Sequence, residues 1–277
     1  MWEVKAMRDL IAANFRRMFK NSLFWGGVLF MFFVAALELV SSKIEALSGG
    51  GSASSVLDSL LYDGALRLAV VMAIFVSVFV GTDYSDGTIR NKIVLGHHRH
   101  SIYLANLIVC VSAAIIMQAT HLLALFLPGH FLFHDLTATM QEAASLVLLD
   151  MLAINAFTAL YLAICMASRS KSTSAIMTLL AVFGVTLLSV IIYQELIQPE
   201  YVMDNATSEL VRNAYYVSGL KRTVFSFLND LLSSSQIIQL ENQYVIGHIN
   251  RFAIYDLAVM GVSTLGGIFA FGKADLK

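Results

Sequence analysis

Six stretches of the chain are long, apolar and almost free of charge: approximately 22–40, 65–81, 101–127, 142–167, 174–197 and 252–271. About twenty residues rising 1.5 Å each cross a hydrocarbon layer of roughly 30 Å. In lipid each backbone amide must pair within its own segment, so these stretches predict helices. The ten-residue alternation of a membrane barrel is missing. The pattern therefore predicts an all-α integral membrane protein with six transmembrane helices in one domain over residues 1–277.

The polar pieces between them have patterns of their own. Residues 2–20 place Val4, Met7, Ile11, Phe15 and Met18 on one helical stripe, with Lys5, Arg8, Arg16 and Lys20 elsewhere. That predicts an amphipathic helix over 1–21 lying in the headgroup region. Residues 41–63 join the first two spans through Gly49, Gly50 and Gly51 and a short helical pattern from Ser54 to Tyr62. The segment 198–250 carries apolar faces, and two or three amphipathic helices are expected there, resting against the ends of the spans. Asn205-Ala206-Thr207 fits a glycosylation acceptor, a match read as chance.

Composition agrees. The chain is 58% hydrophobic and 13% charged, with a mean hydropathy of +0.73, whereas soluble domains carry roughly 25% charge. A net charge of −1 offers no basic face for nucleic acid. Cys110 and Cys165 lie in apolar stretches and are expected as buried free thiols. No cleavable signal pattern is read at the start. If the N-terminus is cytoplasmic and the spans alternate, the cytoplasmic side receives 12 of the Lys and Arg residues and the other side 6, four of them in the long stretch from Arg212 to Arg251 before the last span. The positive-inside bias then puts both termini in the cytoplasm.

One connection on that side is strongly polar: residues 81–100, GTDYSDGTIRNKIVLGHHRH. Asp83 and Asp86 are expected at the start of a short helix, where carboxylates suit the positive dipole end. Arg90 and Lys92 fall on its later turn, and Ile89, Ile93 and Val94 supply an apolar stripe. Such a helix is suited to dock into a groove on another protein.

The run Gly81-Thr82-Asp83-Tyr84-Ser85-Asp86-Gly87-Thr88-Ile89-Arg90-Asn91-Lys92 resembles the cytoplasmic signature of bacterial type-2 ATP-binding-cassette exporter permeases. The layout of the whole chain is similar too: a basic amphipathic N-terminal helix, six spans and a long outer segment before the last. The resemblance implies that residues 82–96 are a coupling helix seated on a separate ATPase subunit, with contacts from Thr82 through Lys92. It also implies that the N-terminal helix is a connecting helix, touching the ATPase through Arg8, Ile11, Phe15 and Arg16. The family commonly has Glu where this chain has Asp83, which keeps the charge with a shorter reach. ATP and Mg would be held by the partner, with no cofactor bound by this chain, and a second permease subunit, identical or related, would complete the transporter in the bacterial cell membrane. The chain itself has no G-x-x-x-x-G-K-[ST], no H-E-x-x-H and no G-x-S-x-G, so it is read as a transport subunit and not an enzyme.

Other polar residues carry weaker signals. Gln118 and His121 in the third span and Asp150 and Asn155 in the fourth fall at depths where they could meet. They could line a transport path, act as a proton-linked pair, or form interhelical hydrogen bonds that fix packing. His97, His98 and His100 sit at the entrance to the third span; His97 and His100 share a face, but nothing completes a metal site, and an interfacial anchor is expected. Glu38 and Arg67 lie near span ends and could pair. The Phe-rich stretch 24–33 is read as lipid-facing or dimer-packing surface, and Gly261, Ser263, Gly266 and Gly267 as helix packing. The cargo is expected to be an amphipathic peptide, a small drug or lipid being the alternative. An ion-coupled secondary transporter and a membrane-embedded hydrolase are the competing classes.

Overall fold

The computed structural model describes residues 2–48, 64–133, 139–203, 209–241 and 249–273. The glycine-rich connection 49–63 and the Asn205-Ala206-Thr207 acceptor lie outside them. The protein is an all-α integral membrane protein. In chain order come α1 (Trp2–Phe19), α2 (Ser22–Leu47), α3 (Ala65–Ser85), α4 (Thr88–Val94), α5 (Arg99–Phe133), α6 (Met140–Ser168) and α7 (Lys171–Leu196). A hairpin of β1 (Tyr201–Met203) and β2 (Leu210–Arg212) follows, pairing Val202 with Val211 in antiparallel register. The chain continues through α8 (Gly219–Leu231), α9 (Ser233–Glu241) and α10 (Ile249–Gly272).

Six helices, α2, α3, α5, α6, α7 and α10, are long and apolar enough to cross a membrane. Helices α2, α3 and α5 outrun their apolar stretches by a turn or more at the C-terminal end, because polar end residues keep a helix going until a cap ends it. Asn21 accepts from the Leu23 amide to start α2. Thr139 and Glu142 form a reciprocal capping box on α6. Arg169, left-handed at φ 55°, ends α6, and Ser170 caps α7 at once, so these two spans are joined by a tight turn.

Burial sorts the spans into inner and outer. In α3 and α6, 61% of the apolar window is buried inside the protein, against 22% in α7 and 17% in α10. The inner pair forms the core with α5, around Phe75, Phe79, Tyr103 and Tyr161, while α7 and α10 present Leu180, Phe183, Leu187, Val262, Leu265 and Phe269 outward, as lipid requires. Two close approaches set this packing. A Cβ on Gly81 would meet the Lys171 backbone at 2.7 Å, and one on Gly267 would overlap the Tyr103 ring.

All the elements converge at two ends. The basal end gathers α1, α4, the α6–α7 turn and the C-terminus of α10, whose last carbonyls accept from Arg99. The distal end gathers the hairpin, α8 and α9. Two expectations change here. The helix between the second and third spans is only Thr88–Val94, not 82–96: α3 runs on to Ser85, and Gly87 at φ 67° breaks the backbone before α4 begins. Within 198–250, α8 is amphipathic as expected, but α9 does not rest on the span ends. Residues 233–240 are all buried, packed among α3, α6, α7 and α8.

Candidate functional site

A cluster of charge lies at the basal end, where α1, α3 and α4 meet on one carboxylate and α5 joins through an amide pair. Asp83, on the last turn of α3, is 2% exposed. Its Oδ1 pairs with Arg17 of α1, and its Oδ2 lies 3.2 Å from Lys92 Nζ of α4. Lys92 Nζ also donates to Asn14 Oδ1 at 3.2 Å. Asn14 Nδ2 donates to Asn106 Oδ1 of α5 at 3.0 Å, and Asn106 donates to the Ile102 carbonyl one turn back. The chain of contacts thus runs α3–α4–α1–α5 without a break.

The local sequence explains this convergence. Leu10, Asn14 and Arg17 fall four and three residues apart, so they share the face of α1 that packs on α5. The Gly87 turn folds α4 back so that Lys92 faces Asp83 rather than solvent. The Arg17 guanidinium lies 3.8 Å from the Phe79 ring centre, a cation–π contact that tolerates a shielded charge. Burial lowers Arg17 from its ordinary value to about 10. Burial, helped by the Arg17 charge, lowers Lys92 from 10.5 to about 8. Two cations and one anion leave the knot positively charged at neutral pH.

The residues expected in the coupling segment therefore divide. Asp83, Ile89 and Lys92 point inward, and Ile89 is 1% exposed. Thr82 and Ser85 bond back to Val78 and Gly81 of their own helix. Tyr84 Oη donates to the Met166 carbonyl at 3.0 Å, tying α3 to α6. Asp83 and Asp86 do not start a helix; they close α3, with Asp86 at its C-cap. Gly87 and Thr88 form the turn. Outward lie Asp86, Arg90 and Asn91 with Val94 and Leu95, the last two 79% and 72% exposed. The expected apolar stripe is split: Ile89 and Ile93 pack on the protein's own core, and Val94 with Leu95 faces away. On α1, Ile11 and Phe15 likewise pack on the core, while Arg8 and Arg16 are exposed.

The polar residues of the spans meet in two buried groups. Gln118 Nε2 donates to Asp150 Oδ2 at 2.5 Å, deep in the bundle. His121 Nε2 lies 3.0 Å from Glu38 Oε2, and Glu38 pairs through its other oxygen with Arg67. Glu38 is buried, held between two partners rather than snorkelling, and Gly64 leaves the space that the His121 ring fills. Asn155 is 8% exposed, with its Oδ1 unpartnered. At the basal end His98 stacks on His100, ring centres 5.3 Å apart, so the expected His97–His100 face is not the pair that forms. No group of three metal-holding side chains occurs among the described residues. Cys110 and Cys165 are free and buried.

Sequence reasoning missed Asn14, Arg17 and Asn106 as members of the knot, and Asp256 as a buried acid of the last span (1% exposed). An amide inside the apolar run of α5, and a second on the apolar stripe of α1, were the available signals. No protein-family model matches the chain, and no curated protein matches it either.

Proposed function

We propose that this chain is the transmembrane permease subunit of an ATP-driven exporter, with α4 as the helix that receives work from a separate ATPase subunit. The observation that carries the reading is the division of α4 and its flanks into two faces. One face is pinned through Asp83, Lys92, Arg17, Asn14 and Asn106 to α1, α3 and α5. The other offers Val94 and Leu95, bordered by Arg90, Asn91 and Asp86, with no covering element among the described residues. A helix docked by a partner on the second face passes its displacement to the spans through the first, because a network with every link buried or half-buried moves as a unit.

On this reading the basal end is cytoplasmic, as the Lys and Arg distribution favours. Arg8 and Arg16 of α1 extend the same contact surface. ATP and Mg reside on the partner, two permease subunits enclose the path, and the cell membrane is bacterial. The ligand class favoured is an amphipathic peptide. Export rather than import follows from the resemblance described above, whose residues Asp83, Gly87 and Thr88 sit where the coupling turn is made.

A second reading has one specific observation in its favour. Glu38, Asp150 and Asp256 are three buried acids inside spans, more than a purely mechanical permease needs, and ion-coupled transporters place acids there. Co-expression with an ATP-binding-cassette ATPase subunit from the same cell separates the two. The ATP-driven reading expects the subunits to co-purify, and expects Val94→Asp with Leu95→Asp to abolish the association while leaving the permease folded. Transport that persists without any ATPase, driven by an ion gradient, sinks it.

A further inference from the structure

We propose that the junction of α8, α9 and α10 is a binding site for one monovalent inorganic cation, sodium or potassium, independent of the coupling machinery at the other end. Helix α9 reads Ser-Ser-Ser-Gln-Ile-Ile-Gln-Leu-Glu, a sequence suited to water, yet Ser234, Ser235 and Gln236 are fully buried and Asp256 of α10 is 1% exposed. Part of this polarity is satisfied internally. Ser233 Oγ donates to Asp256 Oδ1 at 2.7 Å, Ser234 shares a hydrogen bond with Ser189 of α7 at 2.6 Å, and Gln236 Nε2 donates to the Asp230 carbonyl at 2.7 Å.

What is left over is all oxygen. Asp256 Oδ2, Gln236 Oε1, Ser235 Oγ and Asn229 Oδ1 have no hydrogen-bond partner. The Asp230 carbonyl fixes the Gln236 amide with its nitrogen toward α8, so its oxygen is the free end. Ser233 and Gln236 lie three apart on α9 and share a face; Ser233 holds Asp256, and Gln239, one turn on, holds the Asn229 carbonyl at 2.9 Å. The unmet acceptors of Asp256 and Gln236 are thus carried by side chains tied to one face of α9, and that of Asn229 by the stretch of α8 that α9 holds, along the seam of the three helices. Buried acceptors of this kind demand a donor or a cation.

The chemistry selects the ion. Oxygen donors suit a hard cation. One carboxylate among neutral oxygens balances a single positive charge, and a divalent ion would leave a net charge at membrane depth. The nearest basic group on α10, Arg251, is held by Asp230 at 2.8 Å. A cavity of about 460 Å³ bordered by Asn229, Asp230, Gln239 and Arg251 opens on the α8 side of the seam.

The test is a titration of the purified full chain in detergent with NaCl, KCl and choline chloride at constant ionic strength. Melting temperature and hydrogen exchange of the α9 amides are followed. Sodium or potassium, but not choline, is expected to raise the melting temperature and slow exchange in α9 at millimolar concentration. Asp256→Asn is expected to weaken that response at least tenfold, Gln236→Met to weaken it as well, and Asp150→Asn to leave it unchanged. Equal effects of all three salts, no effect of any, or protection that appears only on acidification without preference among cations would overturn the site, the last showing that a proton occupies Asp256 instead.

Discussion

Asp83 is the residue on which the basal network turns, because its two oxygens hold cations from two different helices. Asp83→Asn keeps the shape and removes the charge, leaving Arg17 and Lys92 close together without an anion. Removing one partner of a fully buried pair costs about 3–5 kcal/mol; with Arg17 nearly a third exposed, a loss of roughly 2–3 kcal/mol is expected here, read as a lower melting temperature. The same variant is expected to lose transport-coupled stimulation of ATPase activity even where the subunits still associate. Lys92 gives a pH signature. Its folded value of about 8 lies below the unfolded 10.5, so between those limits the unfolded chain binds the extra proton and stability from this group rises with pH. Melting temperature should therefore climb from pH 8 toward 10.5 in the native chain, and Lys92→Met should flatten that limb. Neutral Lys92 also loosens its hold on Asp83, so coupling is expected to decline over the same range that stability gains.

The helix that links these residues depends on one backbone break. Gly87 at φ 67° has open space around its missing side chain, so Gly87→Val meets no clash and acts through conformation alone. A left-handed conformation costs a residue with a side chain about 1–2 kcal/mol, and α4 is expected to relax toward a continuation of α3, swinging Lys92 off Asp83. Loss of ATPase association with a modest fall in melting temperature is the expected outcome. The spans were legible in sequence because a bilayer imposes about twenty apolar residues on each, and nothing else in the chain competes with that pattern. The limits of α4 were not, since Asp83 and Asp86 satisfy a helix start and a helix end equally well until the Gly87 break is located. Helix α9 was illegible for a different reason: serines and glutamines read as a solvated surface, and only three-dimensional enclosure by α3, α6, α7 and α8 buries them. Asp150 was placed correctly beside Gln118, but the contact of His121 with Glu38 depends on helix rotation, which periodicity does not fix.

The bundle has an inner pair, α3 and α6, and outer spans whose apolar faces point outward. The charged knot lies at the end where the inner pair meets α1 and α4, and the buried polar seam of α9 at the end opposite. A rigid α3, fastened to α4 below and to α7 along its length through Thr178 and the Ala73 carbonyl, joins the two. The direct test of this account is cysteine accessibility at Leu95, the most outward-facing part of the lever, against Leu210 on the distal hairpin. Cys110 and Cys165 are buried and leave a quiet background. The account predicts that Leu95→Cys resists a membrane-impermeant thiol reagent in intact cells, reacts in inverted vesicles, and becomes protected when the ATPase subunit is bound, with Leu210→Cys reacting in intact cells. Labelling of Leu95→Cys from outside intact cells, or reactivity indifferent to the ATPase, would contradict it.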